Sequence, residues 1–304
     1  MKSAVEPLLG MQELFHEVLK KITPSKEETA HFLQVELDLI KIIQESKIPS
    51  NIQIRYIEAQ GSTGIKQTSL RDAADIDLFI GIDPKIIFDQ GFHSKTKTRE
   101  YLRILFKKFV QEWLIPNLKQ YQFDKVKLSY AEHPYVSAKY QGIDLDLVVC
   151  FDLSAEYLAK NGPITSVDRT PHHSRFIRDT LTTAQRNDVR LLKHFLKCHH
   201  CYGDKSPVGK SGFIGYSAEL LIGYFGSLES LFQNFKTLSL EPISIYHKNK
   251  KQSINPKNLS FQNFRNEFYP NDFLVILDPT DIKRNVGSSI DRKSTRLNSS
   301  HRIR

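Results

Sequence analysis

The chain has 304 residues, with 43 Lys plus Arg against 34 Asp plus Glu and a formal net charge of +9. At 40% hydrophobic and 25% charged it has length for about two domains, and wholesale disorder, collagen-like repeats and fibrous structure are excluded. Three cysteines do not make a disulfide framework, so a reducing, cytoplasmic setting is expected, and residues 1–15, which carry Glu6 and Glu13, lack the apolar core of a signal peptide.

In chain order, Ser25-Lys26-Glu27-Glu28 reads as a capping box opening a helix whose apolar face is Phe32, Leu33, Val35, Leu37, Leu39, Ile40 and Ile43, ending before Pro49. Residues 52–57 and 76–80 read as strands on either side of a turn at Gly61-Ser62. Leu102, Leu105, Phe106, Phe109 and Trp113 recur at helical spacing, and Pro116 is expected to close that helix. Three β-prone runs follow, at 126–130, 136–140 and 143–151, so the first half is mixed α/β with a sheet backed by helices. Past Pro163 the pattern turns helical, at 186–198 and 213–235, before a basic stretch at 247–257 and a last β-prone run at 273–277.

Residues 213–232 are long enough to span a bilayer, but Ser217, Glu219, Ser227, Glu229 and Ser230 within them favour a buried helix, and no membrane partner is expected. The end, 291–304, reads as a disordered basic tail, and its Lys293-to-His301 string resembles translated adaptor or vector sequence. Residues 292–304, with five basic and no acidic residues, supply five of the nine excess positive charges. The resulting division is a head at 1–166, a helical neck and body at 167–290, and the tail.

The chemistry lies in the carboxylates. In a strand the side-chain period is two, so Asp75 and Asp77 share one face while Ile76 and Leu78 enter the core, and Asp144 and Asp146 repeat that geometry. Neighbouring strands would bring three carboxylates together, at a repulsion of about 4 kcal/mol per pair at 4 Å and a dielectric near 20. A hard divalent cation compensates it, and Mg²⁺ keeps positions open for water and phosphate. A lone Asp-x-Asp would equally suit a charged strand edge. Gly61-Ser62 ahead of it adds a turn whose amides can approach a phosphate, followed by Lys66 and Thr68. Gly-Ser, an apolar-flanked Asp-x-Asp and a distant third carboxylate together resemble the nucleotidyltransferase superfamily that includes DNA polymerase beta.

Further blocks are similar to the archaeal-type (class I) CCA-adding tRNA nucleotidyltransferases. They are Tyr130-Ala-Glu-His-Pro-Tyr-Val136, Asp144-Leu-Asp-Leu-Val148, Val167-Asp-Arg-Thr-Pro171 with His173, Arg190-Leu-Leu-Lys193, Tyr202-Gly203, Gly215-Tyr216, Glu219-Leu-Leu221, Asp278-Pro279 and Arg284-Asn-Val286. The resemblance implies an α+β fold, a polymerase beta-like head with a mixed sheet backed by helices followed by a mainly helical neck and body. It implies Asp75, Asp77 and Asp146 as catalytic metal ligands for two Mg²⁺, Ser62 and Lys66 at the triphosphate, further nucleotide contacts from Thr170, His173, Lys193 and Tyr202, and base selection by Arg284. The implied activity is template-independent addition of CMP, CMP and AMP, with tRNA, ATP and CTP as partners and a homodimer as one assembly. A poly(A) polymerase or oligoadenylate synthetase-like enzyme, or a non-catalytic RNA-binding module, stands as the alternative. The family continues past the Arg284 block for more than a hundred residues into a domain that grips the tRNA elbow, a region expected to be missing here.

Two clusters have plainer explanations. Arg186, Arg190, Lys193 and Lys197 fall on one helix face, which suits a triphosphate or RNA backbone and equally a solvated surface. Cys198-His199-His200-Cys201 offers four zinc-ligand types, but contiguous positions at a helix end cannot all face one ion without distortion.

Overall fold

Strand segments that are apolar or small on both faces belong at the centre of a sheet, covered on both sides, and residues 78–82 and 147–151 are of that kind. The computed structural model describes residues 5–71, 75–91, 95–131, 133–203, 212–245 and 261–290. The basic stretch at 247–257 and the tail at 291–304 lie outside the described residues.

The elements of the first half are α1 (Val5–Ile22), α2 (Lys26–Glu45), β1 (Ile54–Gln60), β2 (Ile76–Ile82), α3 (Lys85–Phe88), α4 (Lys95–Lys108), α5 (Ile115–Leu118), β3 (Asp124–Tyr130), β4 (Pro134–Tyr140) and β5 (Ile143–Phe151). Those of the second are α6 (Ala155–Asn161), α7 (Thr170–Thr180), α8 (Thr183–Cys198), α9 (Gly215–Phe225), α10 (Leu228–Gln233), α11 (Phe261–Phe268), β6 (Leu277–Asp278) and β7 (Asp281–Asn285). They form two compact units, one within Pro24–Ser69 and Ala73–Arg175, the other within Met1–Thr23, Leu70–Asp72 and Phe176–Arg304.

The first unit is built on a five-stranded sheet in the order β1-β2-β5-β4-β3, with β2 and β5 parallel and the other pairs antiparallel. One face sets Ile76, Leu78, Ile80 and Ile82 beside Leu145, Leu147, Val149 and Phe151, against Val35, Leu39 and Ile43 of α2 and Phe106, Phe109 and Trp113. The capping box forms as the sequence requires: Glu28 N donates to Ser25 Oγ at 3.1 Å, and Ser25 N donates to the Glu28 carboxylate at 2.5 Å. Leu33 and Leu37, expected on the apolar face of α2, are instead 55% and 52% exposed. The packed stripe is Val35, Leu39, Ile42 and Ile43, and the helix is apolar over a wider arc than one sheet covers.

Pro116 does not end its helix. A π-helical turn at Phe109–Leu114 leads into α5, where Pro116 sits in the first turn and its missing N–H is harmless. The opposite sheet face holds a small apolar cluster at its far end, Phe79, Val148 and Cys150 with Tyr56, Tyr135 and Val167, and leaves the near end to polar groups.

In the second unit Val189, Leu192 and Leu196 of α8 share a core with Ala218, Leu221 and Ile222 of α9, and α1 packs on α8. The helix expected over 213–235 is two helices: Gly226 adopts φ +88° as a left-handed cap, its N–H reaches Ile222 O at 2.8 Å, and Ser227 caps α10. The last β-prone run forms a strand only at its end, pairing β6 with β7, while Ile276 bridges Ile243. Among the described residues no helix is long and apolar enough to cross a membrane.

Two glycines separate packing from backbone strain. A Cβ on Gly81 would collide with the ring of Tyr56, whereas at Gly226 nothing lies within 4 Å. Gly81→Ala is expected to cost about 2 kcal/mol or more through overpacking, and Gly226→Ala about 1 kcal/mol through its positive φ, as read by urea denaturation.

Candidate active site

The parallel register of β2 and β5 sets Asp77 directly beside Asp146, and the flanking registers set Gln60 beside Asp77 and Ser137 beside Asp146. Because the pleat alternates, these residues share the face opposite the main core. Ser137 Oγ donates to Asp146 Oδ1 at 2.6 Å, which fixes that carboxylate. Asp75 precedes β2 and is exposed, while Asp144, two residues before Asp146, is exposed and lies 3.7 Å from Lys139. The structure therefore brings together Asp75, Asp77 and Asp146 and leaves Asp144 at the edge.

Burial pushes the Asp77 carboxyl up to about 7, the charges of Asp75 and Asp146 push the same way, and Lys66 opposes them. Lys66, only 8% exposed, thus acts on the same carboxylate. The approach of Gly61 explains a glycine ahead of the pair: at φ +71° its Cα faces Asp77, and a Cβ there would stand 2.7 Å from Asp77 Oδ2. The loop folds back on itself as Thr68 N and Ser69 N both donate to Ser62 O, at 2.8 and 3.1 Å. Thr63 Oγ1 and Gln60 Oε1 are buried there with no hydrogen-bond partner among the described residues. Sequence reasoning passed over Thr63, Gln60 and Ser137, since only the cross-strand register and the loop's closure show their place.

Among the described residues no three His, Cys, Asp or Glu side chains already converge as a metal cage. The donor set nonetheless fits a hard divalent cation. It is all oxygen, and a cation would offset the burial, and the charges of Asp75 and Asp146, that together raise the proton affinity of the Asp77 carboxyl.

Thr170 opens α7 within the first unit, where His173 is 9% exposed. Its neighbour His172 is tied to Leu153 O through Nε2 at 2.9 Å, and burial lowers its proton affinity. In the second unit Lys193 is 2% exposed and its Nζ donates to Glu219 Oε1 at 3.1 Å, so this member of the basic stripe points inward. A Cβ on Gly215, at the start of α9, would lie 3.1 Å from the Tyr202 hydroxyl and 3.6 Å from Lys193 Nζ, so Lys193 and Tyr202 meet at that helix end. Arg284 donates to the fully buried Asp278 at 2.9 Å, and Asp278 also accepts from the hydroxyls of Tyr216 at 3.1 Å and Thr280 at 2.9 Å. The four zinc-type residues diverge: Cys198 is exposed beside His194, at 3.7 Å, while the buried Cys201 turns its thiol to His199 O.

Residues 187–301 match the family model for the second domain of tRNA nucleotidyltransferase. The CCA-adding enzyme of Sulfurisphaera tokodaii is 32% identical over 281 residues, 91% of this chain and 55% of that protein. That of Methanocaldococcus jannaschii is 31% identical over 297 residues, 94% of this chain and 57% of that protein. The chain spans about half the length of the curated relatives it matches. Among solved structures, a cytoplasmic RNA terminal U-transferase aligns with a TM-score of 0.61 at 13% identity, covering 94% of this chain and 88% of that one. A chain of the E. coli CdnC:HORMA-deltaN complex aligns at 0.61 and 18%, covering 94% and 85%. These likenesses show the fold alone, an α+β arrangement shared with those chains.

The raised proton affinity of Asp77 gives a signed test. Below about pH 4 the carboxyl is protonated folded or unfolded and contributes nothing; as pH rises to about 7 the unfolded chain ionises first, and the folded state loses stability. In metal-free protein, Asp77→Asn is therefore expected to melt at a higher temperature than the parent, by a margin that widens from pH 4.5 to 7 and is flat above. Differential scanning fluorimetry measures it, and a margin independent of pH would contradict the raised proton affinity that burial and the neighbouring carboxylates give Asp77.

Proposed function

We propose, from its likeness to the archaeal CCA-adding enzymes and to the second domain of tRNA nucleotidyltransferase, that the chain is a member of that family and adds CMP, CMP and AMP from CTP and ATP to the 3′ end of tRNA without a template. In each cycle the terminal ribose oxygen bonds to the α-phosphorus of the triphosphate as the bond to pyrophosphate breaks, and the hydroxyl proton leaves to solvent. The observation that carries the proposal is the pairing of Asp77 with Asp146 across parallel strands, with Asp75 acting on the same group.

Asp75, Asp77 and Asp146 would hold divalent cations, two Mg²⁺ in this proposal, with Asp146 fixed by the hydrogen bond from Ser137. Cations bound there supply Lewis-acid activation of the attacking hydroxyl and neutralise charge on the departing pyrophosphate. The Gly61–Thr68 loop is proposed to offer the triphosphate the hydroxyls of Ser62 and Thr63 and the ammonium of Lys66, while Gly61 lets the loop pack closely on Asp77. Thr170 and His173 in the first unit and Lys193 and Tyr202 in the second are proposed as further nucleotide contacts. Arg284, a planar donor fork with one arm on Asp278, is proposed to read the incoming base through its other N–H groups.

The test is incorporation of labelled nucleotides into tRNA stripped of its last three residues. CMP should enter twice and AMP once, and Asp77→Asn should lower the rate by at least a thousandfold while leaving RNA retention on filters nearly intact. Incorporation of AMP or UMP alone would point to a different terminal transferase, and unchanged incorporation by the variant would remove the carboxylates from the chemistry.

A further inference from the structure

Beside the carboxylates, on the β3–β4 side of the sheet, lies a groove of about 240 Å³ whose polar lining is Asp75, Asp144 and Asp146 together with Ser137, Lys125, Lys127 and Lys139. None of these lysines belongs to the triphosphate loop. Their gathering depends on a defect in the ladder. Asp124 pairs with Lys139, yet the next pair is Lys127 with Ser137, so β3 carries one residue more than β4 over that interval. The extra residue is Lys125, held at φ +55°, a left-handed conformation that a lysine adopts only at a cost.

Without the bulge Val126 would stand opposite Ser137 and Lys127 would turn to the other face, because a shift of one residue exchanges the faces of a strand. With it, Val126 and Leu128 pack against the main core, while Lys127 joins the row of Gln60, Asp77, Asp146 and Ser137. Lys125 and Lys127 are both exposed. Lys139 approaches Asp144 at 3.7 Å, but that carboxylate is 76% exposed and the pair is screened by water.

We propose that this groove is the seat of the acceptor strand, in which Lys125, Lys127 and Lys139 hold the phosphodiester backbone of the last RNA nucleotides and lead the terminal ribose toward Asp75 and Asp146. The inference rests on the nucleotidyl-transfer reading above and adds the side from which the acceptor enters. In an in-line displacement the attacking oxygen and the departing pyrophosphate lie on opposite sides of the α-phosphorus. The triphosphate loop joins β1 to β2, on one flank of the Asp77–Asp146 pair, and the lysine groove occupies the other, across β5, β4 and β3. A triphosphate seated on the first flank leaves the second to the acceptor.

The test compares the parent chain with Lys125→Ala/Lys127→Ala/Lys139→Ala. The KM for tRNA lacking its last three nucleotides should rise at least tenfold, with the KM values for CTP and ATP changed less than twofold. In an Asp77→Asn background, which binds without turnover, anisotropy of a labelled acceptor-end RNA should show weaker binding and a log Kd against log salt slope smaller by about 2, as expected for three lost phosphate contacts on a single strand. Lys-to-Arg replacement at the three positions should restore most of the binding. A raised nucleotide KM with unchanged RNA affinity would assign the lysines to the triphosphate and overturn the proposal, as would unchanged values throughout. Should the triple variant lose its melting transition, Lys127→Ala alone decides the question by the same readouts. If the parent chain incorporates no nucleotide, the functional reading fails, while the anisotropy comparison still decides whether the groove holds RNA.

Discussion

The parallel pairing of β2 with β5 is the constraint on which the active-site face depends. Parallel strands in register put equivalent residues side by side, so Asp77 and Asp146 are neighbours by backbone geometry before any side-chain preference operates. Such a pair is unfavourable in itself, and the surroundings divide the cost. Ser137 donates a hydrogen bond to Asp146, Lys66 lends Asp77 a positive field, and Asp77 in the metal-free state retains a proton to near neutrality. The strands are held in place at their other ends, where Phe79, Val148 and Cys150 close the same face with apolar contacts and the opposite face is buried throughout. The cohesive part of the sheet thus supports a row that would not hold together alone.

The sequence showed this arrangement unevenly, for physical reasons. Asp75-Ile76-Asp77 and Asp144-Leu-Asp146 alternate strictly, and strand period alone places their carboxylates opposite Ile76, Leu78 and Leu145. The capping box at Ser25 was legible because it involves only neighbours in the chain. What stayed hidden depends on partners far away in sequence. No local pattern announces that Gln60 and Ser137 join the carboxylate row, since both follow from register, nor that Lys125 is bulged, since the count of residues in β3 matters only against β4. Leu33 and Leu37 satisfy helical periodicity as well as Val35 and Leu39 do, and which arc is buried is decided by the sheet beneath. The break at Gly226 was within reach, because a glycine followed by a capping serine is a local stop signal, but the apolar run across it masked the boundary.

In the second unit, charge was readable and its direction was not. Arg186, Arg190, Lys193 and Lys197 share a helix face by arithmetic, yet Lys193 is buried against Glu219, while Lys197 lies 5.8 Å from the centre of the Tyr202 ring. A buried ammonium without its carboxylate would be strongly destabilising, so Glu219, which argued against a membrane span, doubles as the group that allows Lys193 of α8 to be buried beside the start of α9. Asp278 plays the same part for Arg284: fully buried, it accepts from Tyr216, Thr280 and the guanidinium together, and so narrows the orientations that the arginine fork can take.

The net charge of +9 carries little of this. Five of those charges follow Asp291, in the stretch outside the described residues. The positive groups that matter chemically are few and are placed by backbone features: Lys66 by a loop that closes on Ser62, Lys127 by a one-residue bulge, Lys193 by a buried carboxylate. Each stands within the field of an acidic group, because phosphate chemistry needs cations and carboxylates close together, and a uniformly basic surface would bind polyanions without directing a reaction. What distinguishes a transferase face from a merely basic one is therefore this alternation of sign over a few ångströms, which total charge averages away and strand register preserves.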